Sequence, residues 1–89
     1  MLSLHDAVNV INKNKNSDQK IRKYCELDDA FLFRVSTDDE YQLKHVNVQS
    51  QAMAVSKTTG AFKNLNFEEY ATLVNNGIVD KSMFKKYNG

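Results

Sequence analysis

The side chains in this sequence that could bind a metal or act as nucleophiles are few: two histidines, His5 and His45, and one cysteine, Cys25. A zinc site requires several such ligands to converge, and a catalytic cysteine requires a neighbouring histidine with a group that orients it. No CxxC or HxxxH spacing occurs, and Cys25 fits a small core residue on a strand. We therefore expect no metal, no other cofactor and no enzymatic activity.

Carboxylates offer a second kind of site, because they are clustered in the sequence. Glu68 and Glu69 are explained by the first turn of a predicted helix, where the helix dipole favours negative charge. Another acidic run predicts a loop or hairpin tip, and it lacks the glycine and the distal glutamate of a calcium loop. If this tip projects, we expect it to bind a protein partner through Asp38, Asp39 and Glu40.

Basic and acidic residues are separated along the chain, although the formal net charge is only +1. Such polarity can steer association with a charged partner. Charged loops without a function would give the same pattern. The basic segment predicts an alternative, nucleic-acid site in which lysines contact phosphates and a tyrosine stacks on a base. Its residues are Lys13, Lys15, Lys20, Arg22, Lys23 and Tyr24. The near-zero net charge and the lack of a recognisable nucleic-acid motif argue against it.

The length and composition are those of one small folded domain, residues 1–89, with 42% hydrophobic and 26% charged residues. A single cysteine fits a reducing compartment. No apolar run approaches the ~20 residues of a membrane span, and the N-terminus lacks signal-peptide features. We expect a cytoplasmic protein that does not associate with membranes.

The stretch that organises the predicted fold is residues 51–73, which reads as strand, tight turn, short strand and helix. Gly60 provides the positive φ that the turn requires. Asn66 and Glu69 have the spacing of a capping box, and the pair Asn76-Gly77 predicts the end of the helix. The stripe that we expect to face inward is Phe67, Tyr70, Ala71 and Val74.

The remaining elements follow from periodicity. Helical spacing of apolar residues predicts a helix from about Leu4 to Asn12. Residues 30–36 alternate and predict a strand, and residues 41–45 predict another. Residues 20–27 read as a strand with Ile21, Cys25 and Leu27 on one face, although continued helix is an alternative. Asp80 predicts a cap for a short terminal helix over residues 81–87.

These elements predict an α+β fold: an N-terminal helix, an antiparallel sheet of three or four strands, a C-terminal helix packed on one face, and a short terminal helix. Short connections favour antiparallel pairing, because parallel strands would need crossover helices. We expect both helices to cover the same face of the sheet.

Residues 55–62, VSKTTGAF, resemble the V-D-K-x-T-G-x-V hairpin turn of PepSY-like domains and of small immunity proteins of polymorphic toxin systems. The aromatic strand at residues 28–33 is also similar to the immunity proteins. Ser56 and Phe62 depart from the pattern. The turn is structural in those families, so the resemblance implies geometry and no binding residues. The proline-free, Asn- and Lys-rich composition resembles small proteins of phages and mobile elements in low-GC bacteria.

The sequence favours a non-enzymatic protein-interaction module, such as an inhibitor or immunity-type protein of a phage or mobile element. One alternative is a small nucleic-acid-associated regulator. Another is a homo-oligomeric structural protein that associates through an edge strand or an apolar face.

Overall fold

The computed structural model describes residues 1–39 and 51–88 and has the predicted α+β fold. The sheet is antiparallel, with five strands in the order β4-β3-β2-β1-β5, where three or four were predicted. The elements are α1 (Leu4–Asn14), β1 (Gln19–Glu26), β2 (Ala30–Thr37), β3 (Gln51–Ser56), β4 (Phe62–Leu65), α2 (Phe67–Asn75), a 3-10 helix (Lys81–Met83) and β5 (Lys85–Lys86). Glu40, His45 and the strand predicted at residues 41–45 lie outside the described residues.

Helix α1 begins with a capping box in which Ser3 and Asp6 accept each other's backbone amide protons. Its buried residues, Ala7, Val8 and Ile11, have the helical spacing on which the prediction of this helix depends. The helix ends at Asn14, two residues later than predicted. None of the helices in residues 1–39 and 51–88 is long and apolar enough to cross a membrane.

Strand β2 has buried apolar side chains on both faces, although only Leu32 on the second, and this determines where the helices pack. Phe31, Phe33 and Val35 lie in the first core together with Met53 and Val55 of β3. Helix α1 covers this core. Leu32 points to the opposite face and forms the second core with Cys25 and Val79. Tyr70 and Leu73 of α2 pack against this second core. The helices therefore cover opposite faces, and the prediction of one shared face is wrong.

A bulge in β1 changes which face its side chains occupy. Ile21 pairs with Val35 and Lys23 pairs with Arg34, so Arg22 is the extra residue. Ile21 consequently lies in the first core and Cys25 in the second. Residues 20–27 are thus a strand, as preferred, but Ile21 and Cys25 do not share the predicted face.

The hairpin and the ends of α2 confirm the turn and capping predictions. Gly60 has a φ of 73°. Asn66 and Glu69 form the capping box. The amide of Gly77, whose φ is 72°, donates to Val74, and the next amide donates to Leu73, which is a Schellman motif.

The predicted inward stripe of α2 is only partly correct. Tyr70 and Leu73 pack against the second core, whereas Phe67 is 67% exposed and Val74 is 41% exposed. Helix α2 has no buried residue, because only a narrow face of the helix contacts the sheet.

The predicted terminal helix is replaced by one 3-10 turn and a two-residue strand, β5. Asp80 caps the turn, as predicted, through a bond from the Ser82 amide. Phe84 then packs against the second core and Tyr87 against the first. This requires an extended segment along the edge of the sheet, in which successive side chains point to opposite faces. A helix could not direct these two side chains to opposite faces of the sheet.

Candidate functional site

The structure brings two sequence-predicted sites together at one end of the sheet. Asp38, from the predicted acidic site, accepts from Lys20 Nζ at 3.1 Å and from Arg22 Nη2 at 2.8 Å. Arg22 also donates to Ser36 through Nε at 3.2 Å, because the bulge turns its side chain toward the end of β2. The acidic site and the basic site therefore partly neutralise each other at this end of the sheet.

Asp38 does not lie at a hairpin tip, since Asp38 and Asp39 adopt helical conformation directly after β2. Asp38 remains accessible, with 58% of its side chain exposed. The hydrogen bond from Arg22, with a further contribution from Lys20, holds the pKa of the Asp38 carboxyl below its ordinary value of 3.8.

Replacing Asp38 with asparagine should lower the denaturation midpoint more at about pH 7 than at about pH 2. A carboxyl group whose pKa is depressed by folding stabilises the protein above its ordinary pKa, 3.8. That contribution disappears as the pH falls through the lowered value. Urea denaturation of wild type and Asp38→Asn at both pH values measures the effect.

Asp39→Asn is the matched control, because Asp39 forms no ion pair with any residue of the described ranges. It should change the midpoint less than Asp38→Asn at about pH 7. A difference between wild type and Asp38→Asn that persisted undiminished at the acidic pH would contradict the ion-pair explanation.

A row of three cations crosses the sheet beside this cluster. Lys23 of β1 lies directly opposite Arg34 on one side and opposite Lys86 of β5 on the other. Opposed residues of antiparallel strands share a face, with Cβ atoms about 4.5–5.5 Å apart. We call Arg34, Lys23 and Lys86 the cationic row.

Helix α2 covers one end of the cationic row. The guanidinium carbon of Arg34 lies 4.7 Å from the centre of the Tyr70 ring, a cation–π contact. Lys23 and Lys86 are exposed, and within the described part of the chain neither side chain forms a hydrogen bond or an ion pair. Like charges placed directly opposite each other destabilise a sheet, so stability does not explain this arrangement.

The other residues of the predicted nucleic-acid site are dispersed. Lys13 lies in the last turn of α1, and Lys15 is its C-cap. Tyr24 packs against the first core and meets Tyr87 edge to face, with ring centres 6.3 Å apart. Tyr24 therefore lies on the opposite face from Lys23, and the structure does not bring the two together as a stacking group and a phosphate contact.

A buried lysine, Lys57, is one feature that the sequence does not reveal. Only 9% of its side chain is exposed; Nζ lies 2.6 Å from Glu26 Oε2 and 5.0 Å from the centre of the Phe31 ring. Its backbone amide donates to Asp29, and its carbonyl accepts from Leu2. The sequence showed only a turn lysine, because the contact with Glu26 depends on the pairing of three strands.

Lys57 borders an open groove of about 570 Å³ at the end of β1. Apolar and charged side chains line it in similar numbers, among them Leu4, Tyr24, Met83, Glu26 and Lys85. The ammonium and carboxylate groups of Lys57 and Glu26 already satisfy each other, so the groove offers no unpaired buried polar group to a ligand.

Cys25 is a core residue, as its spacing on a strand indicated. The side chain is 2% exposed in the second core, and burial raises the pKa of its thiol, which disfavours the reactive thiolate. His5 is exposed on α1. In the parts of the chain that the structure describes, no three metal-ligating side chains lie together.

An apolar surface is the remaining feature of the site. Phe67 and Val74 are seven residues apart, which places them on the same side of α2, and both are exposed. Ile78, just beyond the Schellman motif, is 46% exposed. We call Phe67 and Val74 the α2 flank. It adjoins the cationic row through Tyr70, which is one turn from each of them.

Comparison with known proteins adds no assignment. No protein-family model, curated protein or solved structure matches this chain. The resemblance of residues 55–62 to PepSY-like and immunity proteins stays a prediction.

Proposed function

We propose that this chain is a non-enzymatic protein-interaction module that binds its partner through the α2 flank. The observation that carries the proposal is the exposure of Phe67, 67%, in a helix that the structure caps at both ends. Large exposed aromatic side chains on a fixed element are the usual anchors of protein interfaces.

The position of Phe67 supports this reading. It is the first residue of α2, directly after the N-cap Asn66, so the capping box fixes its backbone. Glu69, on the far side of the helix, forms an ion pair with Lys63 of β4. That ion pair and the packing of Tyr70 fix the orientation of the helix about its own axis, and in this orientation Phe67 is exposed. A side chain on a fixed backbone loses less entropy on binding than one on a mobile loop.

An inhibitor or immunity-type protein of a phage or mobile element is the specific form of this proposal. A small rigid domain with an exposed anchor suits an inhibitor, because it can bind without rearranging its backbone. Its partner would be another protein with an apolar pocket for Phe67. The support for this form is the hairpin at residues 55–62, which has the tight turn that the resemblance implies.

The test first identifies the partner and then measures how much the α2 flank contributes to the binding affinity. A photo-crosslinking phenylalanine analogue at position 67 traps the protein that touches it, and the partner is purified and titrated with the chain. Phe67→Ser should weaken binding about tenfold or more. Met83→Ser, an exposed apolar residue outside the flank, should change it less than about twofold. Equal affinities of wild type and Phe67→Ser would overturn the proposal.

The same titration tests the predicted acidic site. Asp39→Lys reverses a charge without breaking the ion pairs of Asp38, so it separates partner binding from stability. Weaker binding by Asp39→Lys would support the acidic prediction. Crosslinks only between copies of this chain, with a dimer in sedimentation, would instead favour the homo-oligomeric alternative and overturn binding to a different protein.

A further inference from the structure

We propose that the cationic row binds the acidic face of an amphipathic helix in the partner protein. This inference rests on the proposed function and names the chemistry of the partner. The row lies beside the α2 flank, so one helix can place apolar side chains against the flank and carboxylates against the row.

Lys23 and Lys86 carry charges that the described part of the chain does not neutralise. Lys23 lies between two other cations, Arg34 and Lys86, in directly opposed positions. The described residues supply no carboxylate to Lys23 or Lys86. Asp38, the nearest acidic residue along β2, is occupied by Lys20 and Arg22. An external anion would remove the repulsion that the register imposes.

The spacing of the cationic row matches the spacing of acidic residues on a helix. Neighbouring cations of the row have Cβ atoms about 4.5–5.5 Å apart. Acidic residues three or four positions apart on a helix have Cβ atoms about 5–6 Å apart. Two carboxylates along one helical face therefore match Lys23 and Lys86, and the next face of the same helix is free to carry apolar residues.

The small number of cations in the row favours a protein partner over a nucleic acid. Specific and non-specific binders of nucleic acid gain affinity from many phosphate contacts along an extended basic track. Here the row holds only three cations, and two carboxylates, Asp38 and Asp39, follow Arg34 by four and five residues. The formal net charge of the whole chain is +1. A short run of carboxylates fits this surface better than a phosphate backbone.

The probe is a synthetic helical peptide of about 15 residues, with glutamates along one face and leucines along the adjacent face. Binding is followed by fluorescence anisotropy at about 50 and about 200 mM salt. A peptide with lysine in place of each glutamate and a thymidine oligonucleotide of equal negative charge are the comparison ligands. We expect the acidic peptide to bind most tightly and to weaken as the salt rises.

Two matched variants locate the site. Lys86→Glu should weaken peptide binding about tenfold. Lys85→Glu makes the same change of charge one residue earlier, where the side chain points to the opposite face and borders the groove. It should change binding less than about twofold. Circular dichroism checks folding, and Lys86→Glu should melt no earlier than wild type, because it replaces a like-charge pair with an opposite-charge pair.

Equal effects of the two variants would overturn the inference, as would tighter binding of the oligonucleotide than of the acidic peptide. Absence of peptide binding at the lower salt concentration would also overturn it. These failures are distinguishable from failure of the proposed function. If Phe67→Ser loses the crosslinked partner while Lys86→Glu binds it as wild type does, the interaction module stands and the acidic-helix inference fails.

Discussion

Replacing Phe33 with alanine should lower the free energy of unfolding by about 3–5 kcal/mol. Phe33 is fully buried in the first core, and its ring lies 6.5 Å from that of Phe31. It is on the central strand β2, with β1 and β3 on either side, so the surrounding residues cannot move in to fill the cavity. Chemical denaturation monitored by circular dichroism measures the loss.

Phe67→Ala is the matched control, because it removes the same atoms from a site that is 67% exposed. It should change the free energy of unfolding by less than about 0.5 kcal/mol. If the two substitutions cost similar amounts, Phe67 would be part of the folded core, and the α2 flank could not be a free surface for a partner. The comparison therefore tests the fold and the basis of the proposed function together.

The parts of the fold that the sequence predicts well are governed by neighbouring residues. Gly60 and Gly77 provide positive φ values, and Asn66 and Glu69 form a reciprocal cap, so short-range chemistry determines these positions. The alternation of β2 is equally local, because it requires only period-two spacing of apolar side chains.

The parts that the sequence does not predict depend on register and on distant contacts. The bulge at Arg22 reverses the face of the sheet to which each later side chain of β1 points, and no local sequence signal marks it. Phe84 and Tyr87 fit a helix by spacing, but they meet two different cores, and that requirement selects an extended segment. Apolar residues on both faces of β2 then allow α1 and α2 to pack on opposite sides.

The candidate site shows the same division. The sequence predicts that charge is segregated, but it cannot show that Asp38 pairs with Lys20 and Arg22, since the contact crosses 16–18 positions. The cationic row also requires the pairing of three strands, including β5, which was predicted as helix. A surface of this kind becomes recognisable only when the strand register is known.

Replacing Lys57 with alanine should lower the free energy of unfolding by about 2 kcal/mol. The side chain is almost as buried as a core residue, and its ammonium group lies over the Phe31 ring. Alanine would leave a cavity between the β3–β4 turn and Phe31. Urea denaturation at neutral pH measures the loss.

Lys57→Met separates packing from charge, because methionine keeps an unbranched chain of similar length. It should cost less than about 1 kcal/mol, since Glu26, whose side chain is 62% exposed, can be hydrated once its partner is removed. If Lys57→Met were as destabilising as Lys57→Ala, the ion pair with Glu26 would be the dominant interaction. A smaller destabilisation by Lys57→Met than by Lys57→Ala would instead show that Lys57 acts through packing. Its position is the junction of the N-terminus, the β1–β2 turn and the hairpin. It follows that the groove beside Lys57 is a consequence of the fold, and that binding is better sought on the opposite face of the sheet.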